Sequence, residues 1–333
     1  MTIHSQAYTS SSFLQQFPEL VLCHGGNLTD LCNLAGLQED LILGKPRLIS
    51  FKKFIQLLEI AASELNFPDI SLALCSRQDI NVLGPLSAHL LNCNSAHDAF
   101  EKIRDALQLI VSNISMEFHE NHSNLEMRFI PQLPELQFRP QFQIYLLASS
   151  TLVYRELTEN KAPLRGCFFT FEDSKNIYAE HLSHYFKCPI ALRAPKISLT
   201  MGKEFLDFSA DEISQRIKRK LHTQLEARAD ISRQVSEVIQ QCLISGNAKL
   251  SIVAKALGYS ERTLHRRLES SNTSFNALLS ASRLELANQY LEIPYYNLAD
   301  IAHLLGYKHL SAFSRSYKRW AGITPQQARR LLR

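Results

Sequence analysis

No stretch of this chain holds the ~20 consecutive apolar residues needed to cross a bilayer, so no membrane span is expected. Its seven cysteines (Cys23, Cys32, Cys75, Cys93, Cys167, Cys188 and Cys242) are scattered, odd in number and form no C-x-x-C. A disulfide framework is therefore not expected, and they read as reduced, mostly buried thiols. Eleven glycines and twelve prolines are too few for a collagen-like or low-complexity chain. Met1-Thr2-Ile3-His4-Ser5-Gln6 has no Lys or Arg and no apolar core follows, so no secretion signal is expected and the cytoplasm is the expected compartment. Also missing are G-x-x-x-x-G-K-[ST], G-x-S-x-G, H-E-x-x-H and a glycine-rich dinucleotide fingerprint. No enzyme activity, cofactor or metal is expected.

What is present is ordinary globular composition, 45% apolar and 20% charged. The net charge of +4 is unevenly spread. Residues 231–333 hold 14 Lys/Arg against 6 Asp/Glu, a net of +8. Residues 1–230 hold 22 against 26, a net of −4. A basic final third points to a polyanionic partner, and on charge alone DNA, RNA and an anionic membrane surface all fit. A solvated basic surface gives the same count.

The first ~20 residues are Ser/Thr/Gln-rich and are expected to fray. Helical spacing recurs from Phe17 to Leu43 and from Ser50 to Leu65, where Phe51, Phe54, Ile55 and Leu58 fall at i, i+3, i+4, i+7. Ile80–Pro85 is a turn-rich break, and Ser95 reads as the N-cap of a helix through Phe100, Ile103 and Leu107. The period then changes to two. Ile114, Met116 and Phe118 alternate with polar residues, as do Leu125, Met127 and Phe129, which predicts a β-hairpin. A long helix is expected over Gln141–Leu157, a strand over Cys167–Phe171, a helix over Lys175–Phe186 and a strand over Ile197–Met201. The first two-thirds is thus an α+β domain with a small sheet, residues 1–208. Ser209-Ala210-Asp211-Glu212 is a capping-box signature, so 209–230 is expected to form a linker helix. Its Arg216, Lys218, Arg219 and Lys220 read as a solvated face or as a contact to an acidic partner.

Some side chains in the first domain have two readings. Phe168, Phe169 and Phe171, followed by Tyr178 and Tyr185, either line an apolar effector pocket or belong to ordinary core. His181, His184 and Cys188 have acceptable metal-ligand spacing, and His119 and His122 flank the hairpin loop. Ordinary surface or core histidines account for both sets.

The final third, 231–333, contains a repeat. Val253-Ala254-Lys255-Ala256-Leu257-Gly258-Tyr259 matches Ile301-Ala302-His303-Leu304-Leu305-Gly306-Tyr307 at an offset of 48 residues. In each copy a small Ala sits at a close contact and a Leu faces the core. The Gly then ends the helix in a left-handed conformation, and an aromatic packs over the turn. A second amphipathic helix follows in each. It buries Leu264 and Leu268 in the first copy, and Phe313 and Tyr317 in the second. Arg262, His265 and Arg266 are left outward in one, and Ser311, Ser314 and Arg315 in the other. This is the pattern of two helix-turn-helix units, about 250–270 and 298–320, each able to lay one helix in a major groove. A long helix over Ser274–Leu291 joins them, Asn297 with Asp300 starts the second unit, and Thr324-Pro325-Gln326-Gln327 starts a last helix. An all-α C-terminal domain is expected.

These residues resemble the DNA-binding domain of AraC-family transcription regulators. The second unit's I-A-x-x-x-G-[FY], F-x-R-x-[FY]-[KR] and G-x-[ST]-P segments are Ile301–Tyr307, Phe313–Lys318 and Gly322–Pro325. The first unit's S-x-R-x-L-x-R is Ser260–Arg266. The resemblance implies that Arg262, His265 and Arg266 read bases in one groove segment, and that Leu310, Ser311, Ser314 and Arg315 occupy the matching face of the second unit. It makes Ser260, Lys308, His309, Lys318 and Arg319 phosphate-contact candidates. Leu310 departs from base-reading chemistry, because an apolar side chain can only touch a thymine methyl or pack. Two units roughly 34 Å apart would let one chain span a site of ~20 bp.

The first two-thirds resembles the arabinose-binding-like regulatory region of one AraC subgroup, through Gly44-Lys45-Pro46-Arg47, Leu83-Gly84-Pro85-Leu86 and the helix from Ser95. That implies an effector-sensing or dimerising domain. The expected function is a sequence-specific transcription activator acting on double-stranded DNA with RNA polymerase, controlled by an unknown small-molecule effector, with a homodimer among the expected partners. The rivals are a general nucleic-acid-binding protein and an enzyme fused to a DNA-binding module.

Overall fold

The computed structural model describes residues 8–44, 47–79, 95–110, 114–207, 230–244, 248–292 and 296–332. They fall into an N-terminal unit, 8–207, and a C-terminal unit, 230–332. The expected break at Ile80–Pro85 and the expected linker helix, up to residue 229, lie outside the described residues.

The N-terminal unit is α+β. It opens with β1 (Tyr8–Ser10), a 3-10 turn over Ser11–Leu14 and three short helices, α1 (Phe17–Cys23), α2 (Leu28–Ala35) and α3 (Asp40–Leu43). The fraying expected of the first twenty residues does not hold from Tyr8 onward. β1 pairs antiparallel with β2 (Leu48–Ser50), and Leu14 and Phe17 are fully buried. Two apolar anchors outweigh the polar composition around them. The helical pattern over Phe17–Leu43 breaks into separate helices where Gly25-Gly26 intervene and where Gly36, at φ 65°, ends α2. Asn27 caps α2 by accepting from the Thr29 N–H.

After β2 come α4 (Phe51–Glu64), α5 (Ile70–Ser76) and α6 (Ala96–Ile110). Ser95 caps α6 through the Asp98 N–H, as its sequence implied. β3 (Ile114–Glu120) and β4 (Asn124–Pro131) form the hairpin, with Met116 opposite Phe129 and Phe118 opposite Met127. α7 (Pro140–Thr158) follows, then β5 (Leu164–Phe168), α8 (Ala179–Phe186), β6 (Ile190–Ala191) and β7 (Ile197–Gly202). The sheet order is β3-β4-β7-β5-β6, antiparallel except for the β5–β6 pair. α7 is buried along most of its length and packs on α4, α5 and the sheet. Each fully buried Leu or Phe on it contributes about 1.5–3 kcal/mol.

Two boundaries differ from the sequence reading. The strand expected over Cys167–Phe171 runs Leu164–Phe168 instead. Beyond it the chain still bonds, to the end of β6 and the irregular segment after it, with Phe169 N–H donating to the Ala191 carbonyl and Arg193 N–H to that of Phe171. The helix expected from Lys175 starts at Ala179. The Asp173 carboxylate accepts from the backbone N–H groups of Ile177, Tyr178 and Ala179, which holds residues 174–178 as a capping loop.

The C-terminal unit is all-helical: α9 (Ile231–Ile244), α10 (Leu250–Ala256), α11 (Glu261–Ser270), α12 (Phe275–Leu291), α13 (Leu298–Leu304), α14 (Leu310–Ala321) and α15 (Pro325–Leu331). α12 is the spine. It packs on α9, which contacts α10 and α11, and on α13, α14 and α15. Ser274 caps α12, Asn297 and Asp300 form a capping box on α13, and Thr324 and Gln327 form one on α15.

Candidate nucleic-acid interface

The two turns are built alike. At the first, Gly258 has φ 72°, and the Tyr259 N–H donates back to the Ala254 carbonyl at 2.9 Å. At the second, Gly306 has φ 77°, and the Tyr307 N–H donates to the Ala302 carbonyl at 2.9 Å. A six-to-one bond with a left-handed glycine inside it is the Schellman way of ending a helix, and glycine adopts that backbone without the Cβ clash. Ala254, Leu257, Ala302 and Leu305 are buried beneath.

The following helix in each copy then turns one face inward. Leu264 and Leu268 of α11 are buried, as are Phe313 and Tyr317 of α14. Spacing of four residues puts each pair on one stripe and leaves the rest to solvent. Arg262, His265 and Arg266 are exposed on α11. Together with Leu250, Glu261, Thr263 and Glu269 they line a surface concavity of about 540 Å³. His265 Nδ1 lies 3.2 Å from Glu269 Oε1, one turn on. On α14, Ser311, Arg315, Lys318 and Arg319 are exposed, Ser314 is half-buried and Leu310 is 40% exposed. Lys308 and His309 are exposed just before it. Ser260 Oγ is already engaged. It caps α11 through the Thr263 N–H at 3.1 Å and lies 2.8 Å from Thr263 Oγ1.

Sequence reasoning overlooked the residues that hold the two turns. The Arg267 guanidinium lies 4.4 Å from the Tyr259 ring centre and donates to its hydroxyl at 2.8 Å. Arg283 of α12 lies 4.6 Å from the Tyr307 ring centre and donates to the Leu305 carbonyl at 3.1 Å. Tyr317 donates to Asn288 Oδ1 at 2.7 Å. A cationic residue within reach of each Gly-Tyr pair was the available signal. For Arg283 it lies on another helix, which spacing along one helix does not expose.

In the N-terminal unit, the five aromatics of interest lie on β5 and on the segment through α8. Phe169 and Phe171 are buried, while Phe168, Tyr178 and Tyr185 are half-buried. Phe169 meets Phe171 at 5.4 Å and Phe186 at 5.8 Å, and Phe171 meets Tyr178 at 5.4 Å, all edge-on. Burial pushes both the Tyr178 and the Tyr185 hydroxyls up. Glu59 of α4 accepts from the Gln141 N–H at 3.0 Å and so caps α7. Burial raises its carboxyl to about 7, opposed by the Phe142 and Gln141 N–H groups and by Arg139. The histidines have separate partners: His181 with Asp69, and His119 with Glu117 at 3.1 Å. Cys188 lies beside Cys167. Among the described residues no three His, Cys, Asp or Glu side chains converge, and no helix is long and apolar enough to cross a membrane.

Two family descriptions match the chain: "Arabinose-binding domain of AraC transcription regulator, N-term" over residues 25–209, and "Helix-turn-helix domain" over residues 253–331. The chain is similar to the HTH-type transcriptional regulator VirS of Mycobacterium tuberculosis, 27% identical over 288 residues, 84% of each chain. It is similar along more of its length to the ornithine utilization regulator of Pseudomonas aeruginosa, 22% identical over 334 residues, 96% of this chain and 95% of that one. The HTH-type transcriptional activator CfaD of Escherichia coli is 36% identical over 96 residues, 29% of this chain and 36% of that one.

Proposed function

This chain belongs to the AraC family of DNA-binding transcription regulators, and from that premise we propose that it activates transcription from a specific operator under the control of a small-molecule effector. α11 and α14 each enter a major groove. Arg262, His265 and Arg266 read bases from the first, and Ser311, Ser314 and Arg315 from the second, with Leu310 against a thymine methyl. Lys308, His309, Lys318 and Arg319 hold phosphates, and Ser260 contributes through its place at the helix start. The observation that carries this reading is the pair of matched turns, Gly258-Tyr259 and Gly306-Tyr307. Each is followed by a helix with one buried stripe and one exposed polar face.

The effector enters the N-terminal domain beside Phe168, Phe169, Phe171, Tyr178 and Tyr185, and its binding changes operator affinity by the same factor that DNA changes effector affinity. Activation, supported by the printed function of the Escherichia coli relative, implies contact with RNA polymerase. A homodimer would double the operator contacts. Because the partner is the chromosome, the working compartment is the cytoplasm.

The test is binding of the full chain to its own upstream region and to scrambled DNA at matched salt. A large preference for the upstream region is expected. Equal affinity for both, and for fragments selected genome-wide, with steep salt dependence would instead identify a general nucleic-acid binder.

A further inference from the structure

Two thiols in the N-terminal unit meet across the sheet edge. Cys167 is fully buried on β5, and Cys188 is half-buried in the loop between α8 and β6. Their sulfurs are 3.4 Å apart. The backbone places them there. The Cys167 N–H donates to the Pro189 carbonyl at 3.0 Å, and Cys167 pairs with Ile190 in the parallel ladder. The residue before Pro189 therefore lands against the strand. Arg155 of α7 fixes the other side of the loop. Its guanidinium donates to the carbonyls of Tyr185 and Phe186, at 2.8 and 3.0 Å, at the C-terminal end of α8.

We propose that Cys167 and Cys188 form a reversible disulfide when the protein meets a hydroperoxide, with Cys188 as the attacking thiol and Cys167 as the resolving one. The asymmetry comes from the surroundings. The hydrogen bond with Cys167 and then the Arg155 charge hold the Cys188 thiol below the ordinary range against the effect of burial. Cys167 is pushed up by its burial, then by its neighbour, so it stays a thiol. Reactive cysteines are those with more thiolate and more access, beside a second thiol.

The chemistry balances. The Cys188 thiolate attacks one peroxide oxygen, the O–O bond breaks, and the departing oxygen takes a proton to leave as water or an alcohol. Cys188 is then a sulfenic acid. The Cys167 sulfur attacks the Cys188 sulfur and releases its proton, the S–O bond breaks, and the hydroxyl departs with that proton as water. Two thiols have lost two electrons to one hydroperoxide. A dithiol reductant reverses the bond by exchange. The disulfide would close a loop of about twenty residues, tying the end of α8 to β5 and stiffening it.

The experiment treats the reduced full chain with hydrogen peroxide, counts free thiols and maps linked peptides by mass spectrometry. The expected result is loss of two of the seven thiols, a link between the Cys167 and Cys188 peptides, and full recovery with dithiothreitol. Cys167→Ser should stop at a sulfenic acid on Cys188 that dimedone traps, and Cys188→Ala should leave Cys167 unmodified. The melting temperature of the wild-type chain should rise on oxidation and fall back on reduction. Reaction confined to the exposed Cys23, with both peptides still open to alkylation, would overturn the proposal. So would a link from Cys188 to any other cysteine, or dimedone labelling of Cys167 in place of Cys188. Mapping of the wild-type chain decides between these results even where a variant fails to fold.

Discussion

The first and second helix-turn-helix units share a backbone and differ in what secures it. In the first, the turn tyrosine is held from within its own unit, by Arg267 of the helix that follows. In the second, the tyrosine and the turn carbonyl are held by Arg283 of the spine helix, and the spine's Asn288 takes the Tyr317 hydroxyl. The outward helix of the first carries Glu261 and Glu269 among its arginines, and Glu269 pairs with His265. The outward helix of the second carries Arg315, Lys318 and Arg319 and no acid. One unit is locally braced, with its charge partly balanced. The other is fastened to the spine and carries unbalanced positive charge. On the proposed reading, the first face would be the more selective of the two and the second the more electrostatic.

The strongest way to break this comparison is at the glycines. Gly306→Val forces a β-branched residue to φ 77°. It should cost roughly 1–3 kcal/mol and more than Gly258→Val, because the strained turn also disturbs Arg283 on the spine. Calorimetry of the two variants checks this, and an unchanged melting temperature for Gly306→Val would refute the turn argument.

The next largest effects belong to DNA affinity. Arg266→Ala and Arg315→Ala should each cost about 1–3 kcal/mol at the preferred site and relax one base position. Lys318→Ala should weaken binding to all sequences alike and lower the salt slope by about one. The comparison predicts the greater loss of specificity from Arg266. Affinities of the three variants across a library of single-base changes measure it, and three identical profiles would contradict the division of roles.

The fastening itself is tested by Arg283→Ala against Arg267→Ala. A cation over an aromatic ring contributes ~0.5–1 kcal/mol at an exposed site, which is the expected cost for Arg267. Arg283 is less exposed and also donates to a backbone carbonyl, so its loss should cost about twice that. Arg283→Lys keeps the charge but not the planar guanidinium, and should recover only part. Denaturant midpoints that fall equally for both alanine variants would remove the distinction.

What the sequence made legible follows from range. The Gly-Tyr turns, the caps at Ser95, Ser260, Asn297 and Thr324, and the period-two hairpin are settled by residues within a few positions of one another, and each is found where the pattern put it. So were the buried stripes of Leu264/Leu268 and Phe313/Tyr317, and with them the side chains left outward, except that Ser314 is half-buried. The pairing of Tyr8–Ser10 with Leu48–Ser50 was not legible, nor was the short parallel strand at Ile190–Ala191, because neither segment carries a pattern of its own. The strand expected at Cys167–Phe171 slid by three residues because its partners, not its own alternation, set the ends. Arg283 reaches Tyr307 across 24 positions, and Cys188 reaches Cys167 across 21. Such meetings depend on how elements pack, and no local period encodes them.

The smallest effect separates the two units at the first turn of their outward helices. Ser260 takes the Thr263 N–H and so satisfies one of the donors that a helix start leaves unpaired. His309, in the same place in the second unit, makes no side-chain bond to its helix. Ser260→Ala should therefore cost about 1 kcal/mol of stability, while His309→Ala should leave the melting temperature unchanged. The ranking reverses on DNA. With no structural duty, His309 is free for a phosphate, so His309→Ala should weaken binding at low salt and hardly at all at high salt. Ser260→Ala should weaken it only in proportion to the lost helix start. If both variants lower stability equally, the second helix has a cap the structure does not show, and the contrast between a braced unit and a spine-held one would rest on the arginines alone.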